Sequence, residues 1–547
     1  MTDHHTANIN IGKRQALQKM FGIGAGLVTA DLLLPKAGEA AGLGLPARGQ
    51  MAGSARGSSV PGVFNVRAMG ATGDGKTVDT PAINKAIEAA AGAGGGTVLF
   101  PAGTYLCYSI HLKSNVALYL DRGATILAGE TGQGGNYDAA EENPEAGQYE
   151  DFGHRHWHNA LLWGVGIENV SILGPGLIWG KGLSRGHGEA NPGVGDKTIS
   201  LKNCHNVTIR DISMLKGGHF CILATGVDNF TVDNVVMDTD RDGIDIDCCQ
   251  NVRVSNMTVN SPWDDGICPK SSYALGHPRS TEKLTIVNCF VTGGYELGTL
   301  LDGTFKRWAE GQRRFPTGRI KCGTESNGGF KNITISNCVF EHCRGLALET
   351  VDGALLEDIA ISNITMRDIA DLPIFMRLGS RMRGPAGRPI GQLRRISISN
   401  LVASNTHGEF CSILSGIPGH EIEDVRLSDI MILSQGGGTG ADAAVKPPEK
   451  ENAYPEPNMF GPMPAYGFYF RHIKGLQVSD VEVRTMKEDA RPAFVLDGVE
   501  HADFIHVKTQ PGAGGGAFEL DNVKDFNVYL SRPVPETHLE SVTGKKL

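Results

Sequence analysis

Carboxylates set the chemistry of this 547-residue chain: Asp242-Gly243-Ile244-Asp245 is followed by Trp263-Asp264-Asp265-Gly266-Ile267, so Asp242 and Asp264 lie 22 residues apart. An interval of that size is one coil of a β-solenoid. Strands in neighbouring coils stack about 4.8 Å apart, which brings the three carboxylates Asp242, Asp264 and Asp265 onto one patch. Like charges held that close cannot all ionise, so one group keeps its proton at neutral pH while the others stay charged. Cleavage of a glycosidic bond asks for that division between an acid and a base. Aspartate is also a common turn residue, because its side chain caps backbone amides, and Asp240, Asp245 and Asp247 read as turn residues of that kind. The trio differs from them in its matching register.

The elements that must position these acids are visible as a repeat. Asn206-Val-Thr-Ile, Asn229-Phe-Thr-Val and Asn251-Val-Arg-Val follow one another at 23 and 22 residues. The echo continues in Asn332-Ile-Thr-Ile, Asp358-Ile-Ala-Ile, Arg395-Ile-Ser-Ile and Asp424-Val-Arg-Leu, each followed by a small polar step such as Ser336-Asn337 or Ser428-Asp429. Short β-branched strands between Asn, Asp, Gly and Ser turns, without interleaved helices, predict an all-β parallel β-helix in which each coil buries its neighbour. A glycine count of 73 agrees with so many turns. Where the interval stretches, at about 131–158, 300–317, 379–391 and 435–465, loops are inserted, and loops on a rigid scaffold carry specificity.

Composition narrows the partners. A net charge of −9 argues against nucleic acid, whose phosphates need a basic face. No run of about 18 apolar residues is present, so no membrane span is expected. Lys13-Arg14, the apolar stretch Phe21 to Leu34 and the small residues Ala37 to Gly42 read as a twin-arginine-like export signal over 1–42, predicting a periplasmic or secreted protein. Residues 43–60 read as a flexible linker, 61–535 as the β-helix and 536–547 as a C-terminal tail. The 11 cysteines, odd in number and repeated at equivalent places as in Asn288-Cys289 and Asn337-Cys338, read as stacked inward thiols rather than a disulfide framework.

Phe64-Asn-Val-Arg-Ala-Met-Gly-Ala-Thr-Gly-Asp-Gly75, Thr80-Pro-Ala-Ile-Asn-Lys-Ala-Ile87 and Gly94-Gly-Gly-Thr-Val-Leu-Phe-Pro-Ala-Gly-Thr-Tyr105 together resemble the opening of pectin-degrading β-helix proteins. Asp242-Gly243 with Asp264-Asp265 one coil later resembles the catalytic signature of family 28 glycoside hydrolases, the polygalacturonases and rhamnogalacturonases. The resemblance spans roughly residues 64 to 530. It implies a right-handed parallel β-helix with an N-terminal helical cap, and a polysaccharide or oligosaccharide of pectin type as substrate. It further implies Asp264 as the general acid, and Asp242 and Asp265 as the groups activating water, with no metal and no cofactor. Attack from the opposite face would invert the anomeric centre and ask for a carboxyl separation of about 6.5–9.5 Å. Neighbours in a strand point to opposite faces, so Asp264 and Asp265 can share a cleft only at a bend.

Elsewhere the chain departs from that family's pattern. Polygalacturonases carry Gly-His-Gly one coil after the acids and Arg-Ile-Lys in the next. In the favoured alignment Cys322-Gly-Thr-Glu-Ser-Asn-Gly-Gly329 is the tail of the first of these coils, Gly318 takes the His place, and Ala347 and Glu349 take the places of the cations. In the other, Tyr295 stands opposite the His, and Arg319 and Lys321 are the clamp. Either way homogalacturonan is a doubtful substrate, and rhamnogalacturonases also lack that His. Arg319 and Lys321, on alternate positions of one strand, face the same way and can hold one carboxylate, or else form a solvated face or pair with Glu349. Lys270 follows the acids on their own coil. Arg377 belongs with Arg381, Arg383 and Arg388 to a basic run that reads as a loop with a possible uronate contact.

His154, His156 and His158 alternate around Trp157, a pattern that offers metal ligands if extended and a stacking face for sugar. The aromatics of Tyr454 to Gly461 and Tyr466 to Phe470 stand ready to close one end of the groove. A groove closed by loops predicts an exo-acting hydrolase. Two other readings stand beside it: a polysaccharide lyase using Ca²⁺ and a basic residue, and a non-catalytic carbohydrate-binding β-helix.

Overall fold

The computed structural model describes residues 62–547 apart from 187–190, 310, 313–314, 511–515 and 533. The export signal and the linker read from the sequence lie outside the described residues. The rest winds as a right-handed parallel β-helix. Each coil pairs in parallel with the next, so that Val207, Phe230, Val252, Leu284, Ile333, Ile359, Ile396, Val425 and Leu476 form one buried stack through the solenoid. The apolar member of every strand repeats at the same register, and a slip of one residue would turn the whole row outward.

The corners explain the repeated asparagines. Asn206, Asn229 and Asn251 hold φ of 55°, 52° and 57°, the left-handed region that asparagine tolerates better than other side chains. Their amides form a ladder: Asn229 Nδ2 donates to Asn206 Oδ1 at 2.8 Å and Asn251 Nδ2 to Asn229 Oδ1 at 2.7 Å. A second ladder runs through Asn337, Asn363 and Asn400 at the next corner. All 11 cysteines are buried with free thiols.

Both ends are covered, because a bare terminal coil would expose apolar core and unpaired strand edges. The helix Thr80–Gly92 buries Ile83, Ala86, Ile87 and Ala90 over the first coil. At the other end the segment read from sequence as a tail folds back as the strands Thr537–Val542 and Lys545–Lys546, antiparallel to Val523–Tyr529 and Phe518–Asp521. Its alternation is too polar to announce a strand, and the edge of the last coil supplies the reason for one.

One face of the solenoid concerns function. Its strands Phe220–Thr225, Asp242–Asp247, Ile267–Lys270, Ile320–Cys322, Leu346–Thr350, Ile374–Leu378 and Ser412–Ser415 stack in order. Inserted loops cover the outer face on both sides of the aspartates. Trp157 packs on Phe220, Leu223 and Ala274 over the earlier coils, while Phe460 and Met463 pack on Ala347, Phe375 and Ile413 over the later ones.

Candidate active site

Asp242 opens its strand, whereas Asp264 and Asp265 stand in the turn that leads into Ile267–Lys270. That turn releases the two neighbours from strand alternation, so both reach the same patch. The amide of Asp265 donates to Asp242 Oδ1 at 3.1 Å and to Asp264 Oδ1 at 3.2 Å, which draws these two carboxyls onto a single donor. The three groups each offer an oxygen within 4.8 Å of the others. Gly243 makes the approach possible: a Cβ there would lie 2.3 Å from the carbonyl oxygen of Gly266 in the next coil.

The environments of the three acids diverge. Asp265 is buried, which by itself would raise its pKa. Arg319 Nε at 2.5 Å from Oδ1 and Lys321 Nζ at 3.1 Å from Oδ2, with Lys270 nearby, overcome that and hold it well below the usual carboxylate range. Asp242 is equally buried but has no cation in contact. Burial first, and then the charges of Asp264 and Asp245, push its pKa well above the ordinary value. Asp264 alone keeps contact with solvent, its side chain 29% exposed, with Oδ2 at 2.6 Å from Arg241 Nη2.

A second tier surrounds them. Lys270 Nζ lies 3.0 Å from Glu325 and 3.9 Å from Asp245. Burial disfavours its charge, but Asp245, the Cys268 side chain and Glu325 hold its pKa well above the usual lysine value. His154 Nε2 lies 3.2 Å from the same Asp245, so Asp245 is part of this network rather than a plain turn residue. Glu349 is fully buried and neither of its oxygens has a hydrogen-bond partner. Burial, only partly offset by Lys321 and Arg319, pushes its pKa up to about 7.

The coil register orders the basic residues. Ile267 pairs with Ile320 and Lys321 with Ala347, so Arg319 and Lys321 occupy the coil directly after the aspartates, and Ala347 and Glu349 the one after that. Arg319 and Lys321 are neither a solvated face nor bonded to Glu349. They are buried, and the carboxylate they hold together is Asp265. Tyr295 is turned away from the aspartates, its hydroxyl donating to Glu341 Oε2 at 2.7 Å, because the chain from 293 to 319 is an excursion and not a coil of this face. Arg377 is spent on the late loop: it donates to Ser415 Oγ at 2.8 Å and to the carbonyls of Gly416, Glu449 and Lys450. Arg381, Arg383 and Arg388 likewise tie down loops, through Asp352, Glu325 and the Asn327 carbonyl.

The alternating histidines diverge. His154 meets Asp245, His156 the Glu141 carbonyl, and His158 the Glu141 carboxylate at 3.8 Å. Trp157 is fully buried, its indole N–H donating to Thr225 Oγ1 at 3.1 Å, and presents no face to a sugar. Among the described residues Glu341, His342 and Asp368 form a second group with metal-ligand spacing, with Arg307 and Arg367 beside them. The aspartate trio has that spacing too, but cations already occupy Asp264 and both oxygens of Asp265.

Two contributors escape a reading of the sequence. Arg241, adjacent to Asp242, reaches Asp264 one coil on, and its only signal is that adjacency. Glu456 lies in the insertion at 435–465 and bridges Arg319 Nη2 and Arg344 Nη1, each at 2.6 Å. Nothing in the local sequence marks it.

A parallel solenoid bearing a cluster of electrostatically unequal carboxylates in a loop-walled cleft is built for polysaccharide chemistry. Comparison with known proteins finds similarity in the same direction. Residues 145–297 match the model for glycosyl hydrolases family 28, and residues 63–137 match that for rhamnogalacturonase A/epimerase, pectate lyase-like. The chain is 24% identical over 394 residues to the polygalacturonase of Prunus persica, covering 68% of this chain and 87% of that one. It is 23% identical over 390 residues to a probable polygalacturonase of Vitis vinifera, covering 66% and 72%. The fold resembles that of a hyperthermoactive exopolygalacturonase from Thermotoga maritima with a TM-score of 0.55, at 20% identity over 68% of this chain and 87% of that one. The matched segment 145–297 of the family 28 glycosyl hydrolase model contains all three aspartates, Asp242, Asp264 and Asp265.

Proposed function

We propose that the protein hydrolyses glycosidic bonds in a pectin-type polysaccharide or oligosaccharide, working from a chain end and inverting the anomeric centre. The observation that carries this reading is the trio itself: Asp242 and Asp264 on one amide donor, with Asp265 held ionised beside them. Two carboxyls that close hold one proton between them. Burial places that proton on Asp242 in the free enzyme. The shared proton reaches the sugar through Asp264, the member of the pair that faces solvent. Asp264 then protonates the leaving oxygen, while Asp242, now ionised, takes a proton from the attacking water with Asp265 as the second acceptor. The pair ends the cycle with the one proton it began with.

The separation within 4.8 Å is shorter than the 6.5–9.5 Å expected of an inverting pair, because the acids stand one coil apart and a coil step is about 4.8 Å. Such closeness would suit a carboxylate nucleophile. Inversion is nonetheless favoured, since both oxygens of Asp265 are engaged by cations and Asp242 is the group that takes the proton of the attacking water, so neither is free to bond to carbon. End-wise action is supported by the loops of Trp157 and of Phe460 and Met463, which cover the face on either side of the acids. The names of the relatives support the pectic substrate, and Lys13-Arg14 with its apolar stretch supports export to the periplasm or beyond.

The test is mass spectrometry of products from pectic oligosaccharides, including rhamnogalacturonan fragments, with Asp264→Asn as control. Saturated products that share one added water, with turnover reduced about 10²–10⁴-fold in the control, are expected of a lost general acid. Unsaturated products would overturn the reading in favour of a lyase.

A further inference from the structure

One corner of the solenoid departs from the amide ladders that tie the others. The strand Phe330–Glu341 pairs with Leu355–Arg367 in the next coil, with Glu341 opposite Arg367. The corner residues that follow, His342 and Asp368, and Asn405 one coil later, hold φ of 49°, 54° and 54°, so their side chains rise in one column. Its last rung is an ordinary one: Asn405 Nδ2 donates to Asp368 Oδ1 at 2.6 Å. The rung before it is broken. His342 Nε2 comes within 3.1 Å of Asp368 Oδ2 and 3.6 Å of Glu341 Oε1, yet this nitrogen is buried and makes no hydrogen bond.

Both carboxylates are oriented from behind by neutral donors. The Tyr295 hydroxyl donates to Glu341 Oε2 at 2.7 Å, as Asn405 does to the far oxygen of Asp368. What remains is one imidazole nitrogen and two carboxylate oxygens facing one another, with an atom from each residue within 4.8 Å of the other two. Ligands at about 2.1 Å from a tetrahedral zinc ion stand about 3.4 Å apart, and the two distances to Nε2 bracket that value. Donors that fix the outer oxygens are the usual second layer of a metal site. Two cations also reach the group: Arg307 Nη2 lies 3.3 Å from Glu341 Oε1 and Arg367 Nε 3.8 Å from Asp368 Oδ2. Their side chains are 53% and 73% exposed, so either can swing into water when a stronger cation arrives. An imidazole beside two carboxylates suits a zinc-like ion better than calcium, which takes oxygen alone.

We propose that Glu341, His342 and Asp368 bind a divalent transition-metal ion of the zinc type, with water completing its coordination, as a structural brace. The ion would join two successive coils to the excursion from 293 to 319, which Tyr295 ties to Glu341 and whose Trp308 packs on Trp263, 5.3 Å between ring centroids, beside Asp264. Gly294 is what admits the histidine, since a Cβ there would overlap the Cβ of His342. The brace stands apart from the acids and does not depend on which bond they cut.

The experiment strips the full-length protein with a chelator and titrates it with zinc chloride alone by calorimetry at neutral pH, with thermal unfolding followed in parallel. One ion per chain is expected to bind with micromolar or tighter affinity and to raise the unfolding temperature. Both effects should vanish in His342→Ala and in Asp368→Asn, the second of which keeps the shape of the column should the first disturb folding. Asn405→Ala, which frees the far oxygen of Asp368, should weaken binding about tenfold. Arg307→Ala should tighten it, because a competing cation is gone, an effect that a purely structural role for the cluster does not produce. Absence of saturable zinc binding, or binding unchanged in both His342→Ala and Asp368→Asn, would overturn the site. Binding that is lost in Asp264→Asn instead would place the ion at the aspartates and overturn it equally.

Discussion

At the scale of single residues, this site works by giving chemically identical groups unequal surroundings. Two cations grip Asp265 and hold its pKa down, burial and the neighbouring carboxylates push that of Asp242 up, and Asp264 alone of the three meets solvent. Activity is therefore expected to fall on the alkaline side as the shared proton is lost, and on the acid side once the pair takes up a second proton and Asp242 can no longer accept one from water. A profile of kcat/KM against pH checks both limbs. The anomeric outcome is a second check: proton NMR of the first product should show the configuration opposite to that of the substrate bond. Glu349 offers a test on stability. Its folded pKa of about 7 lies above the ordinary 4.5, so the native state binds the extra proton between those values. Stability is then full below about pH 4.5, declines as pH rises toward 7, and stays lower above it. Glu349→Gln removes the ionisable group and should stabilise the protein at pH 8 by about 3 kcal/mol relative to wild type, with little change at pH 4, as thermal unfolding at the two pH values would show.

At the scale of elements, the insertion at 435–465 acts as a strap. Phe460 and Met463 seat it on the active face, Arg377 holds its backbone, and Glu456 ties it to Arg319 and Arg344 beside the acids. Tyr454 extends it across the cleft, within hydrogen-bond distance of Thr324 and with its ring 5.7 Å from Lys321 Nζ. On the proposed end-wise action, a strap so placed is what keeps the interior of a polymer from the acids. Glu456→Ala unties one fixing point while Phe460 and Arg377 keep the loop packed. The expected result is a product pattern shifted from single released sugars toward mixed lengths, with early oligomers rising by about a few-fold. Chromatography of early products from a long substrate reads this directly, and an unchanged pattern would show that the strap does not govern the mode of attack.

At the scale of the whole molecule, legibility followed from locality. The coils could be read because Asn206, Asn229 and Asn251 repeat a corner that only a few side chains tolerate, and the acids because Asp242 and Asp264 lie one coil apart. Sequence places Arg319 and Lys321 on one side of a strand but does not show that the carboxylate they face is Asp265. Glu456 was invisible for a related reason: loops return to the scaffold by paths that no repeat encodes. The closing strand Thr537–Val542 was missed because a capping strand is selected to be polar on its outer side. A solenoid couples mainly neighbouring coils, so its ends and its middle should fail separately. Deleting residues 536–547 bares the edge of Val523–Tyr529 and the contact of Leu539 with the core. An exposed edge of this kind pairs with another chain. The truncated protein is expected to self-associate on size exclusion and to unfold at lower temperature, while the kcat/KM of its soluble monomer stays within about twofold of wild type, because the aspartates lie many coils away. Loss of activity in a monomer that still shows native circular dichroism would mean that the coils are coupled over the whole length of the helix, against the nearest-neighbour picture.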